Sequence, residues 1–177
     1  MGTVKPTAAE VRRLLDYDQE TGVFRWKVAT TNRVKVGQVA GSLSTTTGYL
    51  TITIAGKHFN ASNLAGLHVT GEWPAKLVDH RNRNRTDNRF DNLRLASYSQ
   101  NSANGPVHKD SKTGLRGVTL HKPGRWRAQI RVGADRIHLG LFDDPASAHA
   151  AYCAASTKHF GEFASTATTG GSHRKAI

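Results

Sequence analysis

The spacing of apolar and polar positions changes along the chain, and the changes mark out its elements. From Thr7 to Asp16 the apolar residues Val11, Leu14 and Leu15 recur at helical intervals, and Thr7 with Glu10 has the form of a capping box, so a short amphipathic helix is predicted. Val23-Phe24-Arg25-Trp26-Lys27 alternates like a strand with one buried face, whereas Thr30 to Lys35 is polar and reads as a loop. Alternation returns from Gly48 to Ile54; Ala55-Gly56-Lys57 is a turn signal, and His58-Phe59-Asn60 reads as the returning arm of a hairpin. Ala61 to Thr70 predicts a helix closed by Gly71, with Pro74 soon after. A strand then ends at Asp79-His80, and a second short strand, Leu93 to Ala96, follows Asn92. Ser97 with Gln100 opens another helix, stopped by Asn104-Gly105-Pro106.

Val107 to Thr113 reads as a linker, and the pattern beyond it is different. Three strands are predicted, Arg116 to His121, Arg125 to Val132 and Arg136 to Phe142, separated by turns at Pro123-Gly124 and Gly133-Ala134-Asp135. In the second strand Arg125, Arg127, Gln129 and Arg131 share one parity, and Trp126, Ala128 and Ile130 share the other. In the third, Arg136 and His138 fall on one face and Ile137, Leu139 and Leu141 on the opposite one. A sheet divided in this way buries its apolar face and shows the other. The cover is the next helix, with Asp144 as N-cap, Pro145 at its first position, Gly161 at its end, and Ala148, Ala151, Tyr152 and Ala155 at helical spacing. Thr166 to Ile177, rich in Thr, Gly and Ser with basic residues, is expected to be disordered.

Charge adds a partner to this picture. The formal net charge of +12 over 177 residues points to a polyanion, and nucleic acid is the commonest one. Between Lys112 and His138 stand seven Lys or Arg and one acidic residue, whereas the covering helix is close to neutral. Ordinary solubility would spread charge over both sides. No basic amphipathic helix with a bulky apolar face and no membrane-length apolar run appears, which argues against a membrane partner. The N-terminus has no hydrophobic signal core, so a cytoplasmic location is expected. The single cysteine, Cys153, excludes an intramolecular disulfide and a cysteine-based zinc site, and its alanine-rich surroundings predict a small buried residue. Trp26, Trp73 and Trp126 read as packing residues.

The segment from Val78 to Gly105 carries the candidate chemistry. Cutting a phosphodiester needs an activated water, neutralised phosphate charge and a stabilised leaving oxygen, and a divalent metal serves the last two. Asp79 and His80 are consecutive at a strand end and point to opposite sides, which allows one to hold a metal and the other to act as base. A hairpin and helix of this size, folding back on itself, would bring Asp79 and Asn101 within reach of one ion. Arg81, Arg83, Arg85, Arg89 and Arg94 are dense enough to favour phosphate contact over a merely solvated loop, whereas Asn88 reads as a turn residue.

Here the chain resembles the HNH endonucleases of the ββα-metal, phage and homing type. His80, Asn92 and Asn101, the Asp79-His80 pair and the run Asp87-Asn88-Arg89 to Asn92-Leu93-Arg94 carry the resemblance, with Gly48-Tyr49-Leu50 and Gly71-Glu72-Trp73-Pro74 upstream. It covers roughly Thr7 to Asn104 and implies that His80 is the general base, that Asp79 and Asn101 bind Mg²⁺ or Mn²⁺, and that Asn92 orients His80 by bracing the loop. One stretch departs: relatives carry His-Arg-Leu-Ala-Trp where this chain has Ser62-Asn63-Leu64-Ala65-Gly66.

The C-terminal part resembles the AP2 DNA-binding domain from Gly114 to about Ala164. Arg116-Gly117-Val118, Gly124-Arg125-Trp126, Ile130-Arg131, Leu139-Gly140, Phe142-Asp143 and Ala151-Tyr152 carry that match. Arg116, Arg131, Arg136 and Tyr152 stand at family DNA-contact positions; Thr119, His121, Pro123, Gln129 and His138 differ from the plant relatives, so the target sequence is not carried over.

The expectation is therefore an α+β protein: a ββα-metal HNH nuclease module over residues 1–106, a linker over 107–113, a three-stranded antiparallel AP2-like sheet packed on one helix over 114–165, and a tail over 166–177. Its expected partner is double-stranded DNA, with no obligate protein partner, and its cofactor a divalent metal. The expected DNA contacts are Arg81, Arg83, Arg85, Arg89, Arg94, Arg116, Arg125, Arg127, Gln129, Arg131, Arg136, His138 and Tyr152. The alternatives are a catalytically inactive DNA-binding protein that kept the HNH fold and, behind it, an RNA-binding structural protein.

Overall fold

The computed structural model describes residues 5–108 and 110–165; the segment expected to be disordered, 166–177, lies outside them. The protein is of mixed α and β structure and divides into two compact units, 1–96 and 97–177. Among the described residues no helix is long and apolar enough to cross a membrane.

In the first unit, α1 (Ala8–Leu14) starts on a reciprocal cap: the Glu10 N–H donates to the Thr7 hydroxyl, and the Thr7 N–H donates to the Glu10 carboxylate at 2.7 Å. The helix ends before the predicted Asp16 because Leu15 turns extended and opens β1 (Leu15–Tyr17), antiparallel to β2 (Phe24–Trp26). Alternation puts Leu15, Tyr17, Phe24 and Trp26 inside. Next come β3 (Ser42–Leu43), β4 (Leu50–Ile54) and β5 (Lys57–Asn60), an antiparallel sheet in that order. A two-residue strand such as β3 leaves no alternation to read in the sequence. The helix α2 (Ala61–Thr70) lays Leu64 and Leu67 on Val11, Leu15, Phe24 and Ile52, and Gly71 ends it at φ +84°, the left-handed conformation that glycine adopts without a Cβ clash. The unit closes with the antiparallel hairpin β6 (Leu77–His80) and β7 (Leu93–Ala96), joined by a loop that ends in a 3₁₀ turn, Phe90–Asn92.

The second unit begins with α3 (Tyr98–Asn104), capped by Ser97 and Gln100 as the sequence predicts. The strands β8 (Val118–Lys122), β9 (Arg125–Val132) and β10 (Asp135–Phe142) form an antiparallel sheet with β9 in the middle. The helix α4 (Pro145–Phe160), capped by Asp144, covers one face, and Val118, Ala128 and Ala148 form the centre of the core with Trp126, Leu139 and Phe142 packed around them. The cover differs in detail from the predicted alanine stripe, since Ala148, Tyr152, Ser156 and Phe160 are its buried residues. Cys153, expected to be buried, is only half-buried, with its sulfur 3.6 Å from His149 Nδ1. Bonds tie α3 and its C-cap to this sheet and the segment before it: the Gly133 N–H donates to Ser99 Oγ at 3.1 Å, and Arg116 donates to the carbonyls of Ser102 and Gly105.

The predicted parity of the last strand is corrected. His138 stands opposite Gln129, but Gly140 stands opposite Ala128, so a bulge at Leu139 shifts every later residue to the other face. Leu139 and Phe142 consequently pack in the core, while Leu141 faces Arg127 on the polar side and is 38% exposed. Gly140 permits the irregularity: its φ of +131° is one that L side chains rarely adopt, and a Cβ there would lie 3.3 Å from the Phe142 ring.

Candidate active site and cationic sheet face

Asp79 and His80 occupy the last two positions of β6, and each is buried, at 5% and 3% exposure. The register sets Asp79 opposite Arg94 and His80 opposite Leu93. Opposite charges across a strand pair attract; Arg94 Nε donates to Asp79 Oδ2 at 2.9 Å, with both side chains 6% exposed. Arg94, expected on DNA, is instead turned inward, because the strand register sets a buried carboxylate opposite it.

His80 is held by a residue that the sequence reads as a turn. Asn88 is 1% exposed, and its Oδ1 lies 3.2 Å from His80 Nε2. Burial pushes the imidazole below its ordinary range, while Asn88 and the Asp79 carboxylate pull the other way. The net shift is downward, so His80 is neutral at neutral pH. In the tautomer that donates from Nε2 to Asn88, the proton-accepting lone pair sits on Nδ1.

Asn92 works on the loop itself. Its Oδ1 accepts from the Asn82 N–H at 3.0 Å, and its Nδ2 donates to Asn82 Oδ1 at 3.0 Å and to the Asp87 carbonyl at 2.8 Å. Arg81, Arg83, Arg85 and Arg89 are exposed on this loop. Arg89 pairs with Asp87 at 2.9 Å, and that bond holds the carboxyl at about 2. Arg85 donates to the Thr47 carbonyl at 2.6 Å and lies 4.9 Å from the Tyr49 ring, which in turn lies 5.8 Å from the His80 ring. Tyr49 thus borders the candidate base, a placement that alternation along β4 does not announce.

The departure at Ser62 and Gly66 also has a place. Both line a pocket of about 410 Å³ with Trp73, Pro74, Leu93 and Arg94. A Cβ on Gly66 would come within 2.9 Å of Pro74 Cγ, so α2 and Pro74 approach too closely for a larger residue at this position unless one of them shifts.

The donor chemistry of this unit is compatible with a hard divalent cation. Among the described residues no group of three or more His, Cys, Asp or Glu gathers into a ready-made cage. Magnesium needs none, since it is commonly bound through one or two carboxylates while keeping waters and substrate phosphate oxygens. Asp79, which accepts a bond from Arg94 Nε, is the carboxylate in question. Asn101 stands on α3, in the second unit.

In the second unit the register stacks the polar side chains in rows. Arg131 is opposite Arg136, Gln129 opposite His138, and Arg127 is flanked by Thr119 and Leu141. Arg131, Arg136 and His138 are exposed; Gln129, Arg127 and Arg125 are half-buried. Among the described residues neither Arg131 nor Arg136 has an acidic partner, whereas Arg125 is paired with Asp143. Arg116 leaves the row for α3. With Gln129, Arg131, Arg136 and the buried Tyr152 it lines a pocket of about 650 Å³.

Residues 60–103, which hold α2, the β6–β7 hairpin and all of α3 but its last residue, match the family model described as HNH endonuclease.

Proposed function

We propose that the protein is a metal-dependent DNA endonuclease of the HNH homing type, hydrolysing phosphodiester bonds in double-stranded DNA. The arginine-faced sheet of the second unit, read as an AP2-like module, anchors it on the duplex. The observation that carries this reading is a buried His80, in contact with Asn88 and adjacent to Asp79, inside the segment that matches the model described as HNH endonuclease.

In the proposed reaction His80 takes a proton from water, and the resulting hydroxide oxygen bonds to phosphorus as the bond to the 3′-oxygen breaks. Asp79 is proposed to hold the ion and, from the sequence alone, Asn101 to be its second protein ligand. When bound, the Mg²⁺ or Mn²⁺ supplies charge stabilisation to the phosphate and the departing oxygen. Asn92 keeps the loop closed beneath the base, and Arg81, Arg83, Arg85 and Arg89 are proposed to meet the backbone phosphates. Arg127, Gln129, Arg131, Arg136 and His138 form the duplex-facing surface, with Arg116, Arg125 and Tyr152 at its margins.

A second reading, a DNA-binding protein that no longer cuts, is favoured by the buried pairing of Asp79 with Arg94, which neutralises the carboxylate a metal requires. Supercoiled plasmid incubated with Mg²⁺ or Mn²⁺ separates the two. The endonuclease nicks it, and His80→Ala lowers the rate by about 10²–10⁴-fold while duplex binding stays. Tight binding without nicking by the wild type leaves the second reading.

A further inference from the structure

His80 meets Asn88 through Nε2, and Asn88 is itself held by a part of the chain far away in sequence. The Tyr17 hydroxyl donates to the Asn88 carbonyl at 2.6 Å across 71 positions, in a buried setting. The next bond along is the Phe90 N–H to the Gln19 carbonyl at 3.0 Å. Between them the turn at Gly22 lies directly against the peptide that joins Asn88 to Arg89: a Cβ on Gly22 would fall 2.4 Å from the Asn88 carbonyl carbon and 2.4 Å from the Arg89 nitrogen. Gly22 has φ +73° and an N–H bonded to the Asp18 carbonyl at 2.8 Å, so this turn is itself well determined.

Core packing alone accounts for none of this. The Tyr17 ring is held by Phe24, stacked at a centroid distance of 4.4 Å, and phenylalanine would satisfy that contact equally well. The hydroxyl has a different use. Burial and the nearby Asp18, Asp91 and Asp87 carboxylates push the phenol well above its ordinary range, so it remains a donor at every relevant pH. The bond it makes fixes the backbone of Asn88, whose side chain meets His80 Nε2.

We infer that Tyr17 and Gly22 are positioning residues for His80, acting through Asn88, so that the β1–β2 hairpin is part of the cutting machinery although it lies outside the matched segment 60–103. The inference rests on His80 being the base of the proposed reaction. A base misaligned by a fraction of an ångström loses rate while substrate binding is kept.

A double-mutant cycle on plasmid nicking with Mg²⁺ tests it. Tyr17→Phe, which keeps the ring, is expected to lower kcat by about tenfold with KM for plasmid unchanged. On an Asn88→Ala background the same substitution is expected to cost nothing more. Gly22→Ala, which keeps Tyr17, is expected to repeat the kcat loss and the dependence on Asn88. Wild-type kcat in Tyr17→Phe, or a full additional loss in the double variant, overturns the inference. A second readout needs neither metal nor activity. In metal-free protein the His80 Nε2 proton gives a protected NMR signal that is lost in folded Tyr17→Phe. If the wild type does not nick, the nuclease reading falls, and this signal alone decides the clamp: its survival in Tyr17→Phe overturns it.

Discussion

Arg94 and Arg131 are both arginines on antiparallel strands of a very basic chain, and they do opposite things. Arg94 in β7 finds Asp79 across the ladder and is drawn inside. Arg131 in β9 finds Arg136 across the ladder and stays in solvent with no acidic partner among the described residues. The residue opposite makes the difference. A carboxylate turns a cation into internal structure; a second cation leaves repulsion that only an external anion relieves. The hairpin of the first unit therefore holds a buried ion pair, and the sheet of the second presents arginines without acidic partners among the described residues.

The largest test of this contrast is thermodynamic. Arg94→Ala removes the guanidinium paired with the buried Asp79 carboxylate and is expected to cost about 3–5 kcal/mol of stability, whereas Arg131→Ala is expected to leave stability unchanged or slightly raised. Chemical denaturation of both variants checks this. Equal losses would break the comparison. Removing both partners, Asp79→Leu with Arg94→Met, is expected to restore stability yet leave the protein unable to nick plasmid.

The parity switch in β10 gives the next effect. Leu139→Ala is expected to cost about 1–2 kcal/mol, below the range of a fully enclosed leucine, and Leu141→Ala to stay within about 0.5 kcal/mol. The reverse order would return Leu141 to the core and abolish the bulge. For the outer face, Arg131→Ala is expected to weaken duplex binding across sequences and to reduce the slope of log K against log salt by about one. A salt titration by fluorescence anisotropy measures it, and an unchanged slope would mean that phosphate is met elsewhere.

The smallest effect concerns acid. His68, against Tyr17 and Phe24, is held below its ordinary range by burial and then by Arg12. The unfolded chain therefore takes up this proton first. Stability attributable to His68 falls as pH drops below 6.5 and levels off below the folded value. His68→Leu is expected to flatten the dependence of the unfolding midpoint between pH 7 and 5.5, and a slope unchanged by that substitution would exclude His68 as its source.

Local pattern alone determined much of this protein. The capping boxes at Thr7 and Ser97, the α2 stop at Gly71, the β4–β5 hairpin and the Asp144 cap are decided by neighbours within a few residues, and the structure has them where periodicity and turn chemistry put them. The pairing of apolar and arginine parities in β9 was equally legible, since alternation is a property of a single strand. Tertiary structure decided what depends on a distant partner. Asn88 looks like a turn residue until Tyr17 and His80 close on it, Arg94 looks like a phosphate contact until Asp79 stands opposite, and Leu141 looks apolar-facing until a bulge turns it outward. The physical reason is common to all three. Burial and hydrogen bonding are settled by contacts between segments far apart in the chain, and one-dimensional spacing does not record which segment a side chain will meet.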